Sequence, residues 1–194
     1  MAGGSVLSYT VKIIPEDPSY NGYILKPLVE TILKNVGKPN ADVSVLTNPK
    51  VSGYEHAKKL LKEEIVERYL HMDLLLFMPD ADGKDKSDEL YRLEGYASDK
   101  KVNLICCAAV QEVEIWLLAG HKEKLSDTWK NIRANRNVKE SVFEPFLKSH
   151  GDTRRAGKGR DLLMEASLSN YKSLKKLCPE IETLENRIKE SFTS

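Results

Sequence analysis

Two signatures of apolar residues alternate along the chain. Runs of strand length stand at 6–14, 42–46, 72–78 and 102–108, and the last two are apolar almost throughout, as strands covered on both faces are. Between them, apolar residues recur at helical spacing. Residues 20–36 carry Tyr23, Ile24, Pro27, Leu28, Thr31 and Ile32 on one stripe and stop at Gly37. Residues 54–70 turn Ala57, Leu60, Leu61 and Ile65 to one side. Residues 87–98 start with Ser87 as the expected N-cap and two acids in the first turn, and 111–119 returns to helix. Four strands separated by helices predict βαβ units. The expected fold is α/β and Rossmann-like, a four-stranded, mostly parallel sheet flanked by helices. From His121 onward the strand signals vanish, and 160–171 and 180–192 read as helices, the second entered at Pro179. The expected organisation is an α/β core over 1–120 and a basic helical extension over 121–194 packed on the same domain.

Composition adds limits. The 194 residues are 41% hydrophobic and 30% charged, enough for a real core and unlike a disordered chain. A net charge of +1 excludes a histone-like polycation, but its division is uneven. Residues 1–120 hold 14 basic and 18 acidic side chains, whereas 121–194 hold 16 and 11. An acidic front and a basic tail suit a cation in one and a polyanion near the other. No apolar run approaches the roughly 18 residues of a membrane span, and the opening Met-Ala-Gly-Gly-Ser reads as a leader without secretory character. Cys106, Cys107 and Cys178 are odd in number, lack metal-type spacing and read as reduced core residues. These features predict a cytoplasmic protein with no membrane partner. No coiled-coil seam that would set an oligomeric state is readable.

In an open parallel sheet, ligands bind beyond the carboxyl ends of the strands. Glu16 and Asp17 follow the first strand, Asp80-Ala81-Asp82-Gly83 the third, and Glu112 and Glu114 the fourth. Grouped carboxylates raise one another's pKa unless a cation neutralises them. Oxygen donors without His or Cys pairs favour Mg²⁺ or Mn²⁺ over Zn²⁺. Residues two apart in an extended segment point the same way, so Asp80 and Asp82 are expected to approach one cation, or two adjacent ones, together. Of Glu112 and Glu114, at a helix start, one is expected to face inward; Glu114, with Trp116 packing beside it, is the choice. The expected metal set is Glu16, Asp80, Asp82 and Glu114. Lys84 stands where an EF-hand needs a ligand, Gly157-Lys158-Gly159-Arg160 lacks the P-loop spacing, and His56, His71, His121 and His150 form no pair. The stretch 148–160 carries Lys148, Arg154, Arg155, Lys158 and Arg160 among three glycines. It reads as a flexible basic loop leading into a helix, a seat for phosphate.

An acid after strand one, Asp-x-Asp after strand three and a further acid after strand four resemble the TOPRIM domain, the catalytic module of topoisomerases, primases and OLD-type nucleases. Ile13-Ile14-Pro15-Glu16-Asp17-Pro18-Ser19 stands at its strand-end glutamate and Phe77-Met78-Pro79-Asp80-Ala81-Asp82-Gly83 at its Asp-x-Asp. Gln111-Glu112-Val113-Glu114-Ile115-Trp116-Leu117-Leu118-Ala119 is similar to a Gln-x-x-Glu-x-Trp-Leu-Leu-Ala segment of small standalone bacterial TOPRIM-like proteins, and 157–179 is similar to their tail. The chain departs from the pattern at Asp17, where nuclease-type members have Gly. It departs again at Tyr20-Asn21, in place of a second acid, and at Gly120, where the small family tends to have an acid. The resemblance implies a Mg²⁺- or Mn²⁺-dependent phosphodiesterase or nuclease acting on DNA or RNA. Glu16, Asp80 and Asp82 would be catalytic, Glu114 would complete the metal shell, and Arg154, Arg155, Lys158 and Arg160 would meet phosphates. It also implies an ABC-type ATPase partner in phage defence. The alternative is a non-catalytic subunit that holds nucleic acid or a nucleotide and docks on such an ATPase, motivated by the missing acid near Glu16.

Overall fold

The computed structural model describes residues 8–192. Its strands are β1 (Thr10–Pro15), β2 (Asp42–Val45), β3 (Leu74–Met78) and β4 (Leu104–Cys106). They pair in the order β2-β1-β3-β4, and every pairing is parallel. The sheet predicted by the apolar runs is therefore present. The first two residues of the expected first strand, Val6 and Leu7, and the leader before them lie outside the described residues.

Each strand pair is joined by helix. Helix α1 (Gly22–Asn35) connects β1 to β2. Helix α2 (Tyr54–Leu60), a π-helical turn (Leu61–Ile65) and α3 (Val66–Arg68) run on as one rod from β2 to β3. Helix α4 (Ser87–Asp99) connects β3 to β4. Ser87 is the first residue of α4 and not its N-cap, which is Lys86; the Ser87 N–H and hydroxyl both donate to the Asp85 carboxylate. The two-residue period of β3 sorts the core into halves. Leu74, Leu76 and Met78 face α1, while Leu75 and Phe77 face Ala57, Leu61 and Ile65 of the α2–α3 rod and Leu90 and Leu93 of α4. All five β3 side chains are buried, and each large one contributes about 1.5–3 kcal/mol. The carboxyl end of β3 is thereby a fixed platform.

The residues after β4 build more helix than periodicity predicted. Following α5 (Glu114–Ala119) come α6 (Trp129–Ala134), then a π-helical turn (Lys139–Phe143) leading into α7 (Glu144–His150). After these come α8 (Arg160–Leu168), α9 (Tyr171–Leu177) and α10 (Pro179–Glu190). The single helix expected over 160–171 ends early because Asn170 starts a new one, its side chain accepting the Ser173 N–H. This tail is not an independent layer. Phe143, Met164, Ile181 and Ile188 are buried in the same cluster as Leu76, Ile105 and Trp116. The Trp116 indole donates to Glu180 at 3.0 Å, and Arg133 grips the same carboxylate with two bonds of 3.1 Å. The free edge of β4 is also closed by the tail. Glu94 accepts the Cys106 N–H, Arg187 donates to the Cys106 carbonyl, and the two side chains pair with each other at 2.8 Å. A salt bridge thus occupies the place of a neighbouring strand. No described helix is long and apolar enough to cross a membrane.

Core and tail approach each other closely where α5 ends. A Cβ on Gly120 would stand 2.3 Å from Ser167 Cα, and the Ser167 hydroxyl donates to the Leu117 carbonyl across the same contact. There is no room here for the acid that the resemblance would place at this position. Gly120→Ala is expected to destabilise the protein by about 1–3 kcal/mol through overpacking, read as a lower urea midpoint with unchanged slope.

Candidate metal centre

The site begins where β3 and β4 stop being strands but remain side by side. Ala109 N–H donates to the Pro79 carbonyl, Ala81 N–H to Ala109 and Asp82 N–H to Gln111, so Asp80 is carried against the start of α5. Its position is then fixed from three directions. The Asp80 N–H donates to Glu16 Oε2 at 3.1 Å, its carbonyl accepts the Lys86 ammonium at 2.6 Å, and its Oδ1 accepts the Val113 N–H at 2.7 Å. Lys86 is buried and lies 3.7 Å from the centre of the Tyr54 ring.

Around Asp80 the structure gathers Glu112 and Glu114, with one carboxylate oxygen from each of the three within 4.8 Å of the others. Asp80 is buried and Glu114 fully so. Neither Glu114 oxygen accepts a hydrogen bond from the described residues. The nearest cation is the Lys139 ammonium, 3.3 Å from both Glu112 Oε2 and Glu114 Oε1. Charges about 5 Å apart repel by about 3 kcal/mol at an effective dielectric of about 20, so three ionised carboxylates here need more than one ammonium. The acidities reflect this. Burial, then Glu114, Glu112 and Glu16, push the Asp80 carboxyl up to about 9. Burial also raises Glu114, outweighing the pull of Lys139. Burial works against the charge on Lys139, yet Glu114, Glu112 and Asp80 together hold its pKa above the ordinary lysine value. Comparisons of the chain with protein-family models, curated proteins and solved structures find no match. The site must be read from its own chemistry.

That chemistry is a cation's. Asp80, Glu112 and Glu114 can hold a metal ion: three hard oxygen donors converge, and one carboxylate is buried without a hydrogen bond. Of the residues expected from the sequence, the structure brings Asp80 and Glu114 together and sets Glu16 behind Asp80, with its carboxylate on the Asp80 backbone. Burial raises the Glu16 pKa. Asp82 does not join them. The rule that residues two apart share a direction needs extended backbone, and Asp82 has φ 54°, in a tight turn. Its side chain is 53% exposed and turns to Lys86 at 3.4 Å. Glu112 does join, because α5 starts only at Glu114 and the two glutamates are not separated by a helical period. The Lys139 contribution carried no local motif.

The basic loop divides. Arg154 is paired to Asp152 and Arg155 to Asp161, so both charges are already answered. Arg160 is buried, donates to the Gly157 carbonyl and lies 4.4 Å from the Tyr20 ring, with Lys158 5.5 Å from the same ring. Burial lowers the Arg160 pKa, and Glu114 is the strongest influence opposing it, so this guanidinium belongs to the acidic centre's surroundings. The loop is packed rather than free. Gly157 and Gly159 have positive φ, and a Cβ on Gly157 would meet the Tyr23 ring at 2.5 Å.

A raised Asp80 pKa has a defined sign. The folded state keeps the proton to about 9 while the unfolded chain releases it near 3.8, so this stabilisation is complete below the lower value and is lost as pH rises through the interval. Without divalent ions, Asp80→Asn is expected to be about 1–3 kcal/mol more stable than the native chain at pH 8. At pH 4 the difference should vanish. Urea denaturation at the two pH values in EDTA measures it.

Proposed function

We propose that the protein is a divalent-metal-dependent phosphodiesterase acting on DNA or RNA. The single observation that carries this reading is the convergence of Asp80, Glu112 and Glu114, with both Glu114 oxygens buried and unbonded, at the carboxyl edge of a parallel sheet. The residues suit Mg²⁺ or Mn²⁺, all three donors being carboxylate oxygens. When bound there, such an ion would polarise a phosphoryl oxygen and acidify a water.

The remaining roles fall to the chain's own groups. Glu16 is half-buried with a raised pKa, so it retains a proton more readily than a surface glutamate and is placed to exchange one beside Asp80. Lys86 holds the Asp80 carbonyl and so fixes the platform on which the Asp80 carboxylate stands. Lys158, exposed over Tyr20, is the cation of this loop that would meet a phosphate backbone, with the buried Arg160 behind it on the same ring. Arg154 and Arg155 contribute less because Asp152 and Asp161 already neutralise them. The resemblance to TOPRIM-like proteins supports the same reading and adds an ABC-type ATPase as the proposed partner, with phage defence as the setting. One observation favours the second reading, a non-catalytic subunit that binds nucleic acid or a nucleotide: Asp82 is turned out of the cluster and Lys139 is turned into it.

Plasmid DNA and single-stranded RNA incubated with the pure protein and Mg²⁺ or Mn²⁺ separate the two. Cleavage is expected, abolished by EDTA and reduced at least about 100-fold in Asp80→Asn and Glu114→Gln, whereas Asp82→Asn should lose less than about tenfold. Cleavage that persists in EDTA, or in both ligand variants, would contradict the metal mechanism. Retention of labelled nucleic acid without cleavage would establish the second reading.

A further inference from the structure

We infer that Lys139 is a tethered counter-ion of the acidic centre, an ammonium that stands in for a divalent cation and has to withdraw for one to enter. The inference rests on reading Asp80, Glu112 and Glu114 as a metal site. Lys139 Nζ lies 3.3 Å from an oxygen of two of those three residues and makes no other ion pair among the described residues. Lys139 donates a hydrogen bond to Glu112 Oε2, whereas its contact with the buried Glu114 is an ion pair without hydrogen-bond geometry. The ammonium therefore supplies charge to the centre while leaving both oxygens of its most buried carboxylate, Glu114, unsatisfied. A permanent structural partner would bond that buried carboxylate as well, so the ammonium behaves as a substitute.

The placement of Lys139 also suits withdrawal. It opens the π-helical turn before α7, and its side chain is 29% exposed where that of Glu114 is fully buried. The ammonium thus reaches the centre from the solvent side on a four-carbon stem, and rotation about that stem removes it without moving the backbone. Arg160, the other cation near Glu114, is buried against Tyr20 and Phe143 and bonded to the Gly157 carbonyl, so it stays in place. Lys139 is the exchangeable charge of the two. A divalent ion entering would take over the neutralisation of Glu112 and Glu114 and release the ammonium to solvent. The consequence is a penalty on metal affinity: the centre stays occupied by its own cation until a divalent ion is abundant enough to displace it.

Mn²⁺ binding to the full chain, followed by the loss of the free-ion electron paramagnetic resonance signal, tests this directly. Lys139→Met keeps the stem and removes the charge. It is expected to bind Mn²⁺ at least tenfold more tightly than the native chain, while Lys139→Arg, which keeps the charge, should bind no more tightly than native. Amine labelling read by mass spectrometry supplies a second measurement that needs no variant: saturating Mn²⁺ should increase acylation of Lys139 in the native chain. Equal or weaker Mn²⁺ binding by Lys139→Met, or unchanged labelling of Lys139, would overturn the inference while leaving the metal site standing. Absence of Mn²⁺ binding in the native chain and Lys139→Met alike would overturn the metal reading and this inference with it.

Discussion

Mutual repulsion among three carboxylates at the end of a buried sheet is the constraint on which the rest of the site depends. Water would ordinarily screen such a group, but Glu114 has none of its surface exposed and Asp80 almost none. The protein answers with compensation from several elements. Backbone N–H groups from the segment before α5 and the β3 extension reach the Asp80 and Glu16 carboxylates, Lys86 pins the Asp80 carbonyl, and Lys139 and Arg160 approach from the tail. Even so, the Asp80 carboxyl remains far above an ordinary aspartate. Below a pH of about 9 a proton on Asp80 answers part of the repulsion, and a divalent cation could take its place.

This requirement also explains why the tail is inseparable from the sheet. The π-helical turn that carries Lys139 and the start of α8 that carries Arg160 must be held within a few ångströms of α5. Gly120 against Ser167, Trp116 against Glu180 and the common apolar cluster hold them there. The uneven division of charge along the chain thereby acquires a location. Acids from the sheet edge and bases from the tail meet at one place, and part of the basic excess is consumed in neutralising the acidic one.

Much of the fold was legible because fully buried parallel strands have to be short apolar runs, as 72–78 and 102–108 are, and the position of the site followed from where those runs end. The composition of the site was less legible, for separable physical reasons. Asp82 was misplaced because alternation presumes extended backbone, and the left-handed turn at Asp82 breaks it. Glu112 is hidden from a helical reading because α5 begins at Glu114, so the two side chains are not related by a helical period. Lys139 could not be found at all, since it lies in a stretch without motif and reaches the centre only through tertiary packing. Arg154 and Arg155 looked available for phosphate, although Asp152 and Asp161 close by in sequence were signals that their charges would be satisfied locally. The helices α6, α7 and α9 are too short for periodicity to announce them, and side-chain caps at Thr128 and Asn170 set the starts of α6 and α9.

The proposed chemistry requires, as its central claim, a divalent cation among Asp80, Glu112 and Glu114. Crystals of the full chain grown with Mn²⁺, with anomalous scattering collected at the manganese edge, test that claim most directly. One strong anomalous peak is predicted within about 2.0–2.4 Å of oxygens from all three residues. A map with no peak there, or with manganese bound by Asp82 and without Glu114, would contradict it.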